Sequence, residues 1–226
     1  MSTQPITVWD LPTRLFHWLL AGSFTVSYLT AEADGWENVH FTSGFTVLGL
    51  VVFRIVCGLA GSRHARFSDF TYGPARVLDY LRHMRSQHYT GHNPLGSLAV
   101  FALLGLALLT ALCGALMYLS GSEFLEEPHE LFANLMLAVV LAHIGGVAVS
   151  SRLHKENLAR AMVTGNKQGE PSEAIHSTHP VIAAALLAAV LGFWGYSWQH
   201  PFDAGRMEEK EQHDNGHGDD HDDDDD

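Results

Sequence analysis

The stretch that decides the fold reads His129-Glu130-Leu131-Phe132-Ala133-Asn134-Leu135-Met136-Leu137-Ala138-Val139-Val140-Leu141-Ala142-His143. Two histidines bracket an apolar run whose one charge, Glu130, sits beside the first of them. On a helix, fourteen residues rise about 21 Å and return to within about 40° of the starting azimuth. The two imidazoles therefore share a face at two depths of a membrane. Ionisable side chains inside a span are costly and turn toward a bundle interior or a cofactor. A helix of this kind can hang two metal centres one above the other.

Working outward, five stretches reach the roughly 20 apolar residues that a bilayer crossing requires. They run near Leu11–Ala31, Phe41–Gly61, Leu95–Leu119, Leu131–Ser150 and Val181–Trp198. They lack the alternation of a barrel strand, so helices must satisfy their backbone. The near-neutral mean hydropathy hides this, because a polar tail dilutes an apolar body. Residues 208–226 hold eleven acids against one Lys, whereas residues 1–207 hold fourteen against twelve Lys and Arg. The acidity of the chain belongs to its tail. Cys57 and Cys113 both fall inside expected spans and read as small buried hydrophobes. There is no C-x-x-C-H, so haem attached through that motif is excluded.

Charge in the loops sets an expected orientation. Ser62–Pro94 carries Arg63, Arg66, Arg76, Arg82 and Arg85, and the segment after the fourth span carries Arg152, Lys155, Arg160 and Lys167. Glu32–His40 and Ser120–Glu130 contain acids but no Lys or Arg. Basic loops stay inside. This puts the N-terminus in the cytoplasm and, with five spans, the acidic C-terminal tail outside. A rival reading takes the first apolar run as a cleaved signal peptide, which would remove His17. The polar leader with Asp10, and the histidine within the run, argue against it.

With that orientation the intramembrane histidines sort by depth. His17 lies near the cytoplasmic side, His40 starts the second span at the outer side, and the fourth span places His129 outside and His143 inside. Depth pairs His17 with His143 and His40 with His129. A lone histidine at a span end is commonly an interfacial hydrogen-bonding residue, but two depth-matched pairs point to metal. Six-coordinate haem iron suits two imidazoles per level, whereas zinc would take more protein ligands. Arg54, fourteen residues after His40, either answers a haem propionate or snorkels to the cytoplasmic surface. Arg14 is a second candidate. Gly22, Gly44, Gly145 and Gly146 serve either a flat macrocycle or close helix packing. The third span, with no charge and no histidine, reads as a wall.

These residues resemble the prokaryotic cytochrome b561 family, which includes the b-type cytochrome subunits of nickel–iron hydrogenases. The likeness lies in Trp9-Asp10-Leu11-Pro12-Thr13-Arg14-Leu15-Phe16-His17-Trp18, His40-x-x-x-Gly44 with Arg54, and His129-Glu130-Leu131-Phe132-Ala133-Asn134 followed by His143. Gly58-Leu59-Ala60-Gly61-Ser62-Arg63-His64-Ala65-Arg66-Phe67 and Gly91-His92-Asn93-Pro94 are similar to bacterial members associated with small c-type cytochromes. The resemblance implies a four-helix core with two haems b on His17, His40, His129 and His143, moving electrons between a periplasmic redox partner and the quinone pool.

The expected fold is thus an all-α membrane protein. A four-helix transmembrane haem-binding bundle spans residues 1–167, a linker and fifth transmembrane helix 168–200, and an acidic His/Asp-rich disordered tail 201–226. The partner expected is a periplasmic c-type cytochrome. A hydrogenase, or superoxide meeting the outer haem in a superoxide:quinone oxidoreductase, are the alternatives. The tail is a solvated segment, a weak divalent-metal binder or an electrostatic guide for a basic partner. A reading of another class, a divalent-metal transporter or metal-binding membrane protein, rests on that tail. The segment Pro74–Gln87 is expected to lie on membrane lipid, its neighbours His64, His83, His88 and His92 to be surface residues, and nucleic acid is not a partner. Neither a nucleophile–base set nor a dinucleotide fingerprint is present.

Overall fold

The computed structural model describes residues 4–202, so most of the expected tail lies outside the described residues. The body is almost wholly helical. The long helices are α1 (Leu11–Leu29), α2 (Glu37–Ala60), α4 (Pro94–Ser120), α5 (Glu126–Leu153) and α7 (Pro180–Gln199), with short α3 (Pro74–Arg82) and α6 (Leu158–Thr164) between them. Four of these, α2, α4, α5 together with the turn before it, and α7, are long and apolar enough to cross a membrane. The remaining long helix, α1, has 19 residues but carries Arg14, His17 and several hydroxyls.

Local chemistry sets the helix ends. Asp10 caps α1 by accepting the Thr13 N–H at 2.9 Å, with Pro12 in the first turn where no donor is needed. Asn93 caps α4 in the same way through the Gly96 N–H at 2.7 Å, and Asn157 caps α6 through Arg160 N–H at 2.8 Å. Gly121 and Gly165 close α4 and α6 in left-handed backbone, φ 70° and 84°.

Helix neighbours run in the order α7, α1, α2, α4, α5. The core, Phe16, Phe24, Val47, Leu50, Val51, Leu104, Ala107, Ala111 and Met136, lies where α1, α2, α4 and α5 converge. Yet α1 and α5 hardly touch along their backbones, which leaves a slot between them. One hydrogen bond crosses it, from Tyr28 Oη–H to Asn134 Oδ1 at 2.8 Å. Outward-facing side chains such as Leu59, Leu119 and Leu141 are more than half exposed, as hydrocarbon-facing residues are. Helix α7 docks on α2 through a polar row: Trp194 Nε1–H donates to Thr46 Oγ1 at 2.9 Å, and Thr42 bonds to Ser197.

The departure from an all-helical chain is a two-stranded antiparallel sheet, β1 (Gln4–Thr7) against β2 (Asn166–Gly169). Its four-residue strands are too short and too polar to show a period of two, which is why the sequence gives no sign of them. It clasps the N-terminus to the chain after α5. The Gly165 carbonyl accepts both the Val8 and Trp9 N–H groups, at 2.8 and 3.1 Å, and Ile6, Val8, Trp9 and Ala161 form a second small core. A Cβ at Gly165 would stand 2.8 Å from the Trp9 carbonyl oxygen. Gly165→Ala is therefore expected to cost about 1–2 kcal/mol from left-handed backbone alone, with the steric contact in addition. Thermal unfolding in detergent should show a lower midpoint; an unchanged one would mean that the clasp carries no stability.

Candidate haem sites

Helices α1 and α2 share an end with α4 and α5 where His40 and His129 come together. Each lies in the first turns of its helix, and their ring centres are 6.2 Å apart with planes at 70°. A metal bonded to both imidazoles at about 2 Å per nitrogen needs a ring separation of this order. His40 Nδ1–H donates to the Ser27 carbonyl at 2.9 Å, and His129 Nδ1–H donates to the Thr110 carbonyl at 2.9 Å. These bonds set the tautomer that leaves Nε2 as the free lone pair, the arrangement found behind metal-bound histidines. Neither Nε2 makes a hydrogen bond among the described residues. Two metal-ready imidazoles at metal-bridging separation fit an iron between them.

Helix α4 does more than the sequence suggests. It was expected only to wall the bundle, but it supplies the Thr110 carbonyl and also Gly114. A Cβ at Gly114 would lie 2.9 Å from His129 Cε1 and 3.2 Å from its Nδ1, so the glycine makes room for the ring. No sequence signal marks this residue, because its partner lies on another helix. The glycines singled out from sequence behave differently. Gly44 has only Ser27 Oγ near it, at 3.8 Å, and Gly22, Gly145 and Gly146 have open space, so none mediates tight helix packing.

At the opposite end, His17 of α1 and His143 of α5 stand close enough for their charges to interact. They belong to the two helices, α1 and α5, that hardly touch. His17 Nδ1 is buried without a hydrogen-bond partner, and His143 makes no hydrogen bond among the described residues. Arg54 is 4 % exposed, so it does not snorkel to water. Its guanidinium lies 4.9 Å from the centre of Phe67 and 5.9 Å from that of Phe70, and its Nη1 is buried without a partner. Gly58 admits the Phe67 ring, since a Cβ there would overlap it. A buried guanidinium with an orphaned nitrogen calls for an anion, and a carboxylate on a bound macrocycle suits it. Arg14 spends Nη1 on the Val163 carbonyl at 2.5 Å, while its Nε remains buried and unpaired.

Two histidines expected at the surface are half-buried. His92 is wedged between Trp9 and Phe70, with ring centres 4.7 and 4.4 Å away, and its Nδ1 is fully buried. His64 Nε2–H donates to the Glu173 carbonyl at 2.9 Å. The return of the chain through β2 and the segment after it covers both, a long-range contact invisible in sequence. His83 and His88 do lie at the surface. A cavity of about 530 Å³ opens beside them, lined by His64, Tyr72, His88, His92 and Glu173. In α3 Tyr80 is buried, while Leu78 and Leu81 point outward. Cys57 and Cys113 are free thiols.

An apolar helical bundle that brings histidines together has a form suited to a haem-binding membrane protein. The comparisons agree. Residues 8–165 match the prokaryotic cytochrome b561 family, and the chain belongs to that family. A probable Ni/Fe-hydrogenase B-type cytochrome subunit from Rhizobium leguminosarum bv. viciae is 21 % identical over 216 residues, covering 74 % of this chain and 90 % of the relative. No solved structure matches. The chain is thus a membrane b-type cytochrome of electron transfer, and its apolar helices make it a multi-pass inner-membrane protein.

Burial, followed by the charges of Arg54, Lys167, His64 and His143, lowers the His92 pKa from 6.5 to about 3. The unfolded chain then binds the proton more readily, so stability is full above the ordinary histidine range and is lost as pH falls from about 6.5 toward about 3. His92→Gln should flatten that part of the acid stability profile, as read by unfolding midpoints from pH 7 to 4. A profile as steep as that of the wild type would assign the loss to other groups.

Proposed function

We propose that this chain is a di-haem b-type cytochrome that conducts electrons across the membrane between a redox protein at its acidic face and quinone near its basic face. The observation that carries this reading is the His40–His129 pair, 6.2 Å apart with both Nδ1 atoms bonded to main-chain carbonyls. His17 and His143 would hold a second haem, with Arg54 the candidate partner of a propionate and Arg14 a lesser one. When bound, haem supplies the one-electron redox change. The protein holds the His40 and His129 rings in their ligand tautomer. In this reading α1 also spans the bilayer, its polar side turned inward, and α7 is the fifth span.

The basic loops face the cytoplasm by the positive-inside rule, which puts His17 and His143 on that side. The other end exposes Glu32, Asp34, Glu37, Glu123, Glu126, Glu127 and Glu130. Such a face attracts a basic partner, and a periplasmic c-type cytochrome meets that requirement. The likeness to a hydrogenase cytochrome subunit favours a second partner, a hydrogenase in the same position. Quinone reduction takes up two protons with its two electrons, and the polar cavity beside His64 and His92 is open to supply them from the basic side.

Alkaline pyridine haemochrome spectra of the detergent-purified protein should give two haems b per chain. His143→Ala should leave one, and His129→Ala should leave one. A wild-type value of one would make one histidine pair structural, and none would bring metal transport forward. A basic cytochrome c should exchange electrons with the protein at a rate that falls steeply with ionic strength, as electrostatically steered encounters do; a rate independent of salt would reject the acidic face as its docking site.

A further inference from the structure

At the basic end of the bundle a cavity of about 410 Å³ opens where α5 gives way to α6 and to the β1–β2 clasp. Lys155, Arg160, Lys167 and one carboxylate, Glu156, line it. Basic side chains near a span end follow from membrane topology alone. Their pairing sets these apart. Glu156 is committed elsewhere: its Oε1 accepts the Gln168 N–H at 3.1 Å, and its Oε2 lies 3.5 Å from His88 Nε2 and 3.6 Å from Lys167 Nζ. Lys167 is itself buried and donates to the Tyr89 carbonyl at 2.9 Å. The nearby Arg14 and Arg152 spend Nη1 on the Val163 and Ala148 carbonyls. The exposed side chains of Lys155 and Arg160 make no ion pair or hydrogen bond among the described residues. Two unpaired cations on one concave surface, with the local carboxylate neutralised, present a site for an anion.

The surroundings choose among anions. Trp18 of α1, half-exposed, donates its indole N–H to the Met162 carbonyl of α6 at 3.3 Å. Exposed tryptophans at a span end sit at the headgroup level of a bilayer, and this bond holds α6 at that level. Val163 is 61 % exposed and follows Arg160 by three residues, so the two share a side of α6. An apolar side chain left open beside an unpaired guanidinium fits an amphiphile, with acyl chain against one and phosphate against the other. Free phosphate would give Val163 no partner. A zwitterionic headgroup would bring its own cation against Lys155 and Arg160.

We propose that this cavity binds the phosphate of an anionic phospholipid in the leaflet at the basic end, held by Lys155 and Arg160. Lys167 supports the site indirectly, by neutralising the carboxylate that would otherwise repel the lipid. The site is independent of the haem reading, since it needs only that the chain lie in a membrane.

The test is native mass spectrometry of the full-length purified protein in non-ionic detergent, titrated with phosphatidylglycerol or with phosphatidylcholine. The wild type should take up one phosphatidylglycerol well before any phosphatidylcholine. Lys155→Gln combined with Arg160→Gln should weaken that first binding by about thirtyfold, one headgroup contact being lost at each residue. The thermal midpoint of this variant in detergent should not move, because neither side chain bonds within the protein. Arg82→Gln combined with Arg85→Gln removes the same charge from exposed positions at the same end and should leave the first binding unchanged. Equal weakening in both double variants would mean diffuse attraction and overturn the site. So would an unchanged affinity in the Lys155 and Arg160 variant, or equal affinity for the two lipids. Inorganic phosphate in excess should leave the lipid bound; displacement would assign the cavity to the free ion and overturn the lipid.

Discussion

A buried imidazole has two nitrogens to satisfy, and in hydrocarbon no water does it. The structure depends on how this is met at His40 and His129. A carbonyl of α1 takes one ring proton and a carbonyl of α4 takes the other. Each histidine is thereby tied to a helix other than its own, α2 to α1 and α5 to α4, at one level of the bundle. A hydrogen bond of this kind is worth only about 1 kcal/mol net, but leaving such a donor buried and unmade costs about 1–3 kcal/mol. The penalty makes the register specific.

The other end is built differently. There α1 and α5 stay apart, His17 Nδ1 and Arg54 Nη1 lack partners, and the β1–β2 clasp with its small Trp9 core closes the bundle from below. The faces of Phe67 and Phe70 lie near the buried guanidinium, and it bonds to no anion among the described residues. Orphaned buried polar atoms are uncommon in native proteins. Three such atoms, His17 Nδ1, Arg54 Nη1 and Arg14 Nε, belong to residues of α1 and α2 at this end.

Much of this was legible in the sequence. The five long helices fall where the apolar runs place them, because hydrocarbon thickness dictates run length and loop charge marks the two ends. The pairing of His40 with His129 follows from depth alone and is met in space. Other features were hidden, for a common reason. Gly114, the Ser27 and Thr110 carbonyls, and the enclosure of His92 by Trp9 and Phe70 are contacts between residues far apart in sequence, and main-chain acceptors carry no residue signature. The clasp strands are too short for periodicity. The sequence reading of α4 as a bare wall failed because it looked for side-chain chemistry, and this helix contributes a carbonyl and an empty space.

The modest hydropathy of α1 follows from the same geometry. It lies between α2 and α7, and it turns Arg14 and His17 away from hydrocarbon, Arg14 reaching the Val163 carbonyl. A helix covered in this way need not be apolar all round, since its partners and the slot take its polar groups. Helix α7 then acquires a physical purpose. By bonding Ser197 and Trp194 to the hydroxyl row of α2 it shields the flank of α1 and α2 opposite the slot. A weakly apolar helix left on the outside of a bundle would expose its polar groups to lipid, and a helix docked against it covers part of that surface.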